Sequence, residues 1–215
     1  MKNNVILLDL IFYLALPLFV WHVLRDHVGD YYAMLLTSVP GIIYTLYRFK
    51  QTKKLNVTGT FILSSLVIGT VIDLLSGSAL RLLWNNVFYS LAMGVFFLGT
   101  MLFKHPLALY FALDVAELQG HDRKFSKHLF YHKPLLLIFQ GITLILALRS
   151  GLFAGLNSWL ILEYGVEAFD KGILLKQVLG WVITGVTVIG FFYVSKVIQE
   201  SPELIKKVKA DLAET

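Results

Sequence analysis

The chain has 215 residues, 57% of them hydrophobic and 15% charged, with a mean hydropathy of +0.70 and a formal net charge of +5. An average soluble domain carries about 25% charged residues, and a soluble core of this length could not hide so much apolar side chain. A bilayer can, because lipid solvates the outer face of each helix. Composition therefore excludes an ordinary soluble domain and points to an integral membrane protein, folded as one helical bundle over 1–200 with a short tail, 201–215. There is no cysteine, which removes disulfides, thiolate nucleophiles and cysteine-ligated metals. The positive charge does not indicate nucleic acid, since the basic residues are divided among short connectors instead of gathered on one surface.

The N-terminal run "MKNNVILLDLIFYLALPLFVWHVLRD" is too long for a signal peptide, contains Asp9 and lacks a clean small-residue cleavage site, so it reads as a retained first span. A crossing helix needs ~20 mostly apolar residues, and about six segments reach or approach that length. They lie at 5–24, 31–47, 57–76, 87–103, 134–148 and 175–197. A closed barrel would need alternating strands instead. The predicted class is thus an all-α integral membrane protein.

Basic residues set the orientation. Arg48, Lys50, Lys53 and Lys54 follow the second span; Lys104, Arg123, Lys124, Lys127 and Lys133 follow the fourth; Lys196, Lys206, Lys207 and Lys209 close the chain. On the other side Arg25, Arg81, Arg149, Lys171 and Lys176 are offset by Asp26, Asp30, Glu163, Glu167 and Asp170. The positive-inside bias puts both termini in the cytoplasm. Between the spans, residues 105–120 open at Pro106 and close at a glycine, as an interfacial cytoplasmic helix within the 104–133 connector would. Residues 151–174, interrupted by glycine and acids, read as an interfacial or re-entrant segment on the outer face. Ser201 as N-cap and Pro202 in the first turn begin a short cytoplasmic helix.

Ionisable groups in spans are costly and mark function or pairing. The topology brings His22, Arg25, Asp73, Arg81, Asn85 and Asn86 to the outer headgroup level, where Asp73 can pair with Arg81 or Arg25. If they converge they form an outward polar vestibule and are the candidate binding residues; if they diverge they are ordinary interface residues beside Trp84 of the aromatic belt. Pro17 and Pro40 free carbonyls inside the first two spans and are the candidate kinks for gating. Gln140 in the fifth span reads as interhelical glue. His128 and His132 share a helix face, and so do Asp114 and Glu117, but no HExxH, GxSxG, P-loop or GxGxxG accompanies them. No metal, cofactor or catalytic residue is therefore expected.

The stretches "IIYTLYRFKQTKKLNVTGTF" and "VIGTVIDLLSGSALRLLWNNVFYSLAMGVFFLGTMLFKHPLALYF" resemble the intracellular septation protein A family and its small bacterial relatives. The likeness rests on Tyr47, Arg48, Lys50 and Lys53, on Gly69, on Trp84 with Tyr89, and on Lys104 with Pro106, over the first half of the chain. It implies a multi-pass protein of the bacterial cytoplasmic membrane concerned with envelope upkeep, and it carries no catalytic residues. The reading is a non-enzymatic envelope protein whose partners are membrane lipids, with envelope proteins or self-association beside them. The alternatives are a channel or transporter for a small solute or anion, attracted by Arg25 and Arg81, and an intramembrane lipid-modifying enzyme working from Asp114, Glu117 and His121.

Overall fold

A computed structural model describes residues 11–52 and 56–213. Asp9, Lys53, Lys54 and the start of the first predicted span lie outside the described residues. All regular structure in the described residues is helical. A π-helical turn, Ile11–Ala15, leads into α1 (Leu16–Val28), with Pro17 in the first turn of α1. Proline has no N–H to return to the preceding turn, and a widened π turn is one way a helix accommodates that gap. Gly29, at φ 80°, ends α1 and donates its N–H to the Arg25 carbonyl at 2.9 Å. α2 (Asp30–Thr52) follows at once, with Pro40 in its interior.

α3 (Val57–Leu75) and α4 (Ala79–Leu102) are joined through Ser76, Gly77 and Ser78, with Gly77 at φ 69°. α4 starts earlier than hydropathy suggests, so Arg81, Asn85 and Asn86 are helical. Beyond α4, Lys104 adopts φ 57°; its N–H reaches the Met101 carbonyl and the His105 N–H the Thr100 carbonyl, both at 2.9 Å. That is the Schellman closure, in which glycine normally occupies the left-handed position. α5 (Leu107–Leu118) ends in the same way at Gly120, φ 89°. α6 (Arg123–Phe130) is capped by Asp122, which accepts from the Phe125 N–H at 2.7 Å.

α7 (Lys133–Tyr164) and α8 (Ala168–Gln199) have 32 residues each and are separated by a 3-10 turn, Gly165–Glu167. The segment that reads as interrupted in the sequence is therefore the end of one helix and the start of another. Glycine inside a helix costs about 1 kcal/mol against alanine, and Gly151 and Gly155 do not stop α7. Gly165, at φ 58°, marks its end. α9 (Pro202–Ala213) closes the described chain. Three segments are long and apolar enough to cross a membrane: Val57–Leu75, Ala79–Leu102 and Lys133–Gln199, the last comprising α7, the turn and α8.

The chain divides into two compact units, with α3, α4, α7 and α8 contributing residues to both. The first takes in Met1–Leu55, Gly59–Leu91 and Leu152–Gly180. Its core gathers Trp21, Met34, Leu82, Leu83, Val87 and Leu160. The second takes in Asn56–Thr58, Ala92–Gly151 and Trp181–Thr215, around Leu109, Leu113, Phe130, Phe139, Ile142 and Val208. Here α5, read from sequence as interfacial, has Ala108, Leu109 and Leu113 fully buried, and α9 buries Val208. Within the first unit Gly172 faces Leu160, and within the second Gly190 faces Ile142. Both pairs are centred on Val166, which is the signature of antiparallel pairing of α7 with α8 on either side of the turn.

A Cβ at residue 190 would stand 2.8 Å from Ile142 Cγ1, and Ile142 is 2% exposed. Gly190→Ala should therefore cost about 1–3 kcal/mol by overpacking, with part of the loss recovered in the Ile142→Ala background. Gly151→Ala, where nothing lies within 4 Å, should be neutral or stabilising. Thermal unfolding of the three variants in detergent checks this.

Candidate functional site

The polar residues of the first unit collect around the turn between α3 and α4. Asp73 is two residues before the end of α3, so its carbonyl lies in the last turn, where it accepts from the Ser76 N–H at 3.2 Å. Asn86 Nδ2 donates to Asp73 Oδ1 at 2.9 Å and to the Leu82 carbonyl at 3.0 Å. Asn85 Nδ2 donates to Ser76 Oγ at 2.8 Å, and that hydroxyl donates to the Ile72 carbonyl at 2.7 Å. From α2, the Tyr31 hydroxyl lies 3.1 Å from the Asp73 carbonyl and 2.9 Å from that of Leu74. The end of α3 is thus sealed by side chains of α2 and α4.

Beside this seal runs an open groove of about 630 Å³ between α2 and α3. Tyr32, Leu35, Leu36, Val39 and Ile42 line one wall and Thr70 and Leu74 the other, with Asp73 among them. It is an apolar trough with one carboxylate at its edge.

Of the six residues singled out from sequence, Asp73, Asn85 and Asn86 come together here. Arg25 goes elsewhere: its Nε donates to Asp30 Oδ1 at 2.6 Å, and its guanidinium sits 4.8 Å from the Trp21 ring centroid. The tight turn at Gly29 brings Asp30 back to Arg25, so this arginine is satisfied locally. Among the described residues no ion pair joins Asp73 to Arg25 or Arg81. His22 and Arg81 are exposed. Trp21, against Phe169, is fully buried, and its Nε1 has no acceptor among the described residues.

The second unit holds a polar cluster that sequence reasoning weighed only as a weak metal pair. Asp114 has a side chain 1% exposed. Its Oδ2 accepts from both the N–H and the hydroxyl of Thr58, each at 2.7 Å, and its Oδ1 accepts from Arg123 Nη1 at 2.9 Å. Arg123 Nη1 also reaches Glu117 Oε2 at 2.5 Å, and these two carboxylates raise the guanidinium pKa above its ordinary value, Asp114 foremost. Thr58 is the second residue of α3, so a buried carboxylate caps that helix at its positive end. Among the described residues no group of three or more metal-ligating side chains comes together. The available signal was an acid isolated in the apolar run of α5, which has to find a partner when buried; the partner, 56 residues away, was not legible.

Two smaller networks lie nearby. Thr143, fully buried, accepts from the Ala108 N–H at 3.2 Å and donates to the Phe139 carbonyl at 2.8 Å. His105 Nδ1, Tyr131 Oη and Tyr110 Oη form a closed triangle of 2.5, 3.1 and 3.2 Å contacts, and burial pushes the Tyr131 phenol pKa up.

Asp114→Ala would leave the Thr58 N–H and hydroxyl without their acceptor and Arg123 with Glu117 alone, a loss of about 2–4 kcal/mol after allowing for the partly exposed arginine. Glu203→Ala, which breaks a pair exposed on both sides at 3.7 Å, should leave the unfolding temperature unchanged. Parallel thermal unfolding of both variants makes the comparison. Searches of family models, curated proteins and solved structures find no match to this chain, and the site is read from its own geometry.

Proposed function

We propose that this is a multi-pass protein of the bacterial cytoplasmic membrane that holds an amine-headed amphiphile in the groove between α2 and α3 and does not convert it chemically. One observation carries the reading: a carboxylate, Asp73, edges a trough that is otherwise almost wholly apolar. An acid in such a setting gains most from a cationic partner, because the low surrounding dielectric strengthens the attraction. The apolar walls suit an alkyl chain. Among the described residues Asn86 is the side-chain partner of Asp73, through Oδ1.

Under this reading the first span, to which the π turn Ile11–Ala15 and α1 belong, and α2, α3, α4, α7 and α8 each cross once. A 32-residue helix is about 48 Å long, ample for a hydrocarbon core of about 30 Å. The distribution of basic residues puts both termini inside and the Ser76–Ser78 turn outside, so the amine end of the ligand sits at the outer headgroup level. The resemblance to the septation protein A family fits a role in envelope upkeep.

Binding of octadecylamine, octadecanol and stearate to the purified protein in neutral detergent tests the proposal. The amine should bind at least tenfold more tightly than the alcohol, about 1.4 kcal/mol, and Asp73→Asn should erase the difference. Equal binding of amine and alcohol, or an unchanged preference in Asp73→Asn, would overturn it.

A further inference from the structure

We infer that the second unit carries a separate site, which takes one acyl chain of an anionic phospholipid into the pocket enclosed by α5, α6, α8 and α9. The pocket is half-enclosed and has a volume of about 690 Å³, within the ~300–1,000 Å³ of typical ligand sites. Aromatic and aliphatic side chains make its body, with Phe111, Phe125, Phe191 and Ile205 from the four helices. Its polar residues include Gln119 and His121, both exposed. This is the lining a hydrocarbon chain needs, with a wet mouth for a headgroup.

The charge around it selects the headgroup. α6 is strongly two-faced: Ser126, Leu129 and Phe130 are buried, and Lys124, Lys127 and His128 are exposed. Arg123 is held by Asp114 and Glu117, so its charge is spent on those two acids, one of whose negative charges it offsets. No described carboxylate pairs with Lys124 or Lys127. Lys124 is next in sequence to Phe125 and Lys206 to Ile205, both of which line the pocket. α6 and α9 pack on each other, which brings Lys207 and Lys209 into the same region, together with Lys206 and its ion-pair partner Glu203. Juxtamembrane basic residues near a membrane surface attract anionic lipid. A neutral headgroup would gain none of this.

The experiment uses the full chain in neutral detergent, with added phosphatidylglycerol or phosphatidylcholine of the same acyl chains, and counts retained lipid by native mass spectrometry. Phosphatidylglycerol should be retained at least tenfold better. Ala112→Trp, which fills the pocket, and Gln119→Trp, which blocks its mouth from an exposed position, should each remove that retention while thermal unfolding stays cooperative. Lys124→Gln with Lys127→Gln should bring phosphatidylglycerol down to the phosphatidylcholine level. Asp73→Asn should leave retention unchanged, which separates this site from the groove of the first unit. Equal retention of the two lipids in the unaltered protein would overturn the proposal. So would full retention in both tryptophan variants, which would mark the lipid as merely annular.

Discussion

The ends of helices are the governing constraint in this chain. Each helix leaves N–H groups at its start and carbonyls at its finish without partners, and in an apolar environment every one left bare costs several kcal/mol. With 15% charged residues, the sequence has few polar side chains to spend, and many of the buried ones are spent there. Asp114 caps α3 at Thr58, Thr143 meets the second N–H of α5 at Ala108, and the Tyr31 hydroxyl covers the last carbonyls of α3. Lys104 even enters the left-handed region so that the carbonyls of Thr100 and Met101 are bonded, at a steric cost of roughly 1–2 kcal/mol.

This use of polar residues explains why so few candidates from sequence converge into a vestibule. Ser76 and Asn85 are occupied with closing the α3–α4 turn, and Arg25 with Asp30. Asp73 differs, because its carbonyl serves the helix end while its carboxylate, steadied by Asn86, remains at the groove. The same separation holds in the second unit. Arg123 is committed to Asp114 and Glu117, while Lys124 and Lys127 of the same helix stay exposed at the surface. Groups not needed to satisfy the backbone are the ones left to meet a ligand.

Hydropathy makes the helical class legible and finds apolar cores for the long helices, because the bilayer-length run is a property of composition alone. The punctuation is legible where backbone chemistry forces it: Gly77 between α3 and α4, Gly120 after α5, Pro202 opening α9. Elsewhere local signals mislead. Gly151 and Gly155 suggest a break in α7, but isolated glycines only weaken a helix, and the left-handed Gly165 is where it ends. Arg81, Asn85 and Asn86, ahead of the hydropathy-defined fourth span, are already helical, with Asn85 bonded to Ser76 of the preceding turn and Asn86 to Asp73 near the end of α3. The joining of Asp114 to Thr58 depends on tertiary proximity, for which neither periodicity nor spacing holds a signal. For the same reason the division into two compact units is not written in the hydropathy.

The most direct measurement follows from the absence of cysteine in the chain, which allows single cysteines to be introduced at helix ends and labelled with a membrane-impermeant maleimide. Residues 78 and 166, in the turns that end α3 and α7, should label in intact right-side-out cells or spheroplasts. Residues 121 and 207, after α5 and within α9, should label only once the membrane is opened. Labelling of all four from the same side, or of none before permeabilisation, would contradict the proposed topology, with the Ser76–Ser78 turn outside and both termini inside.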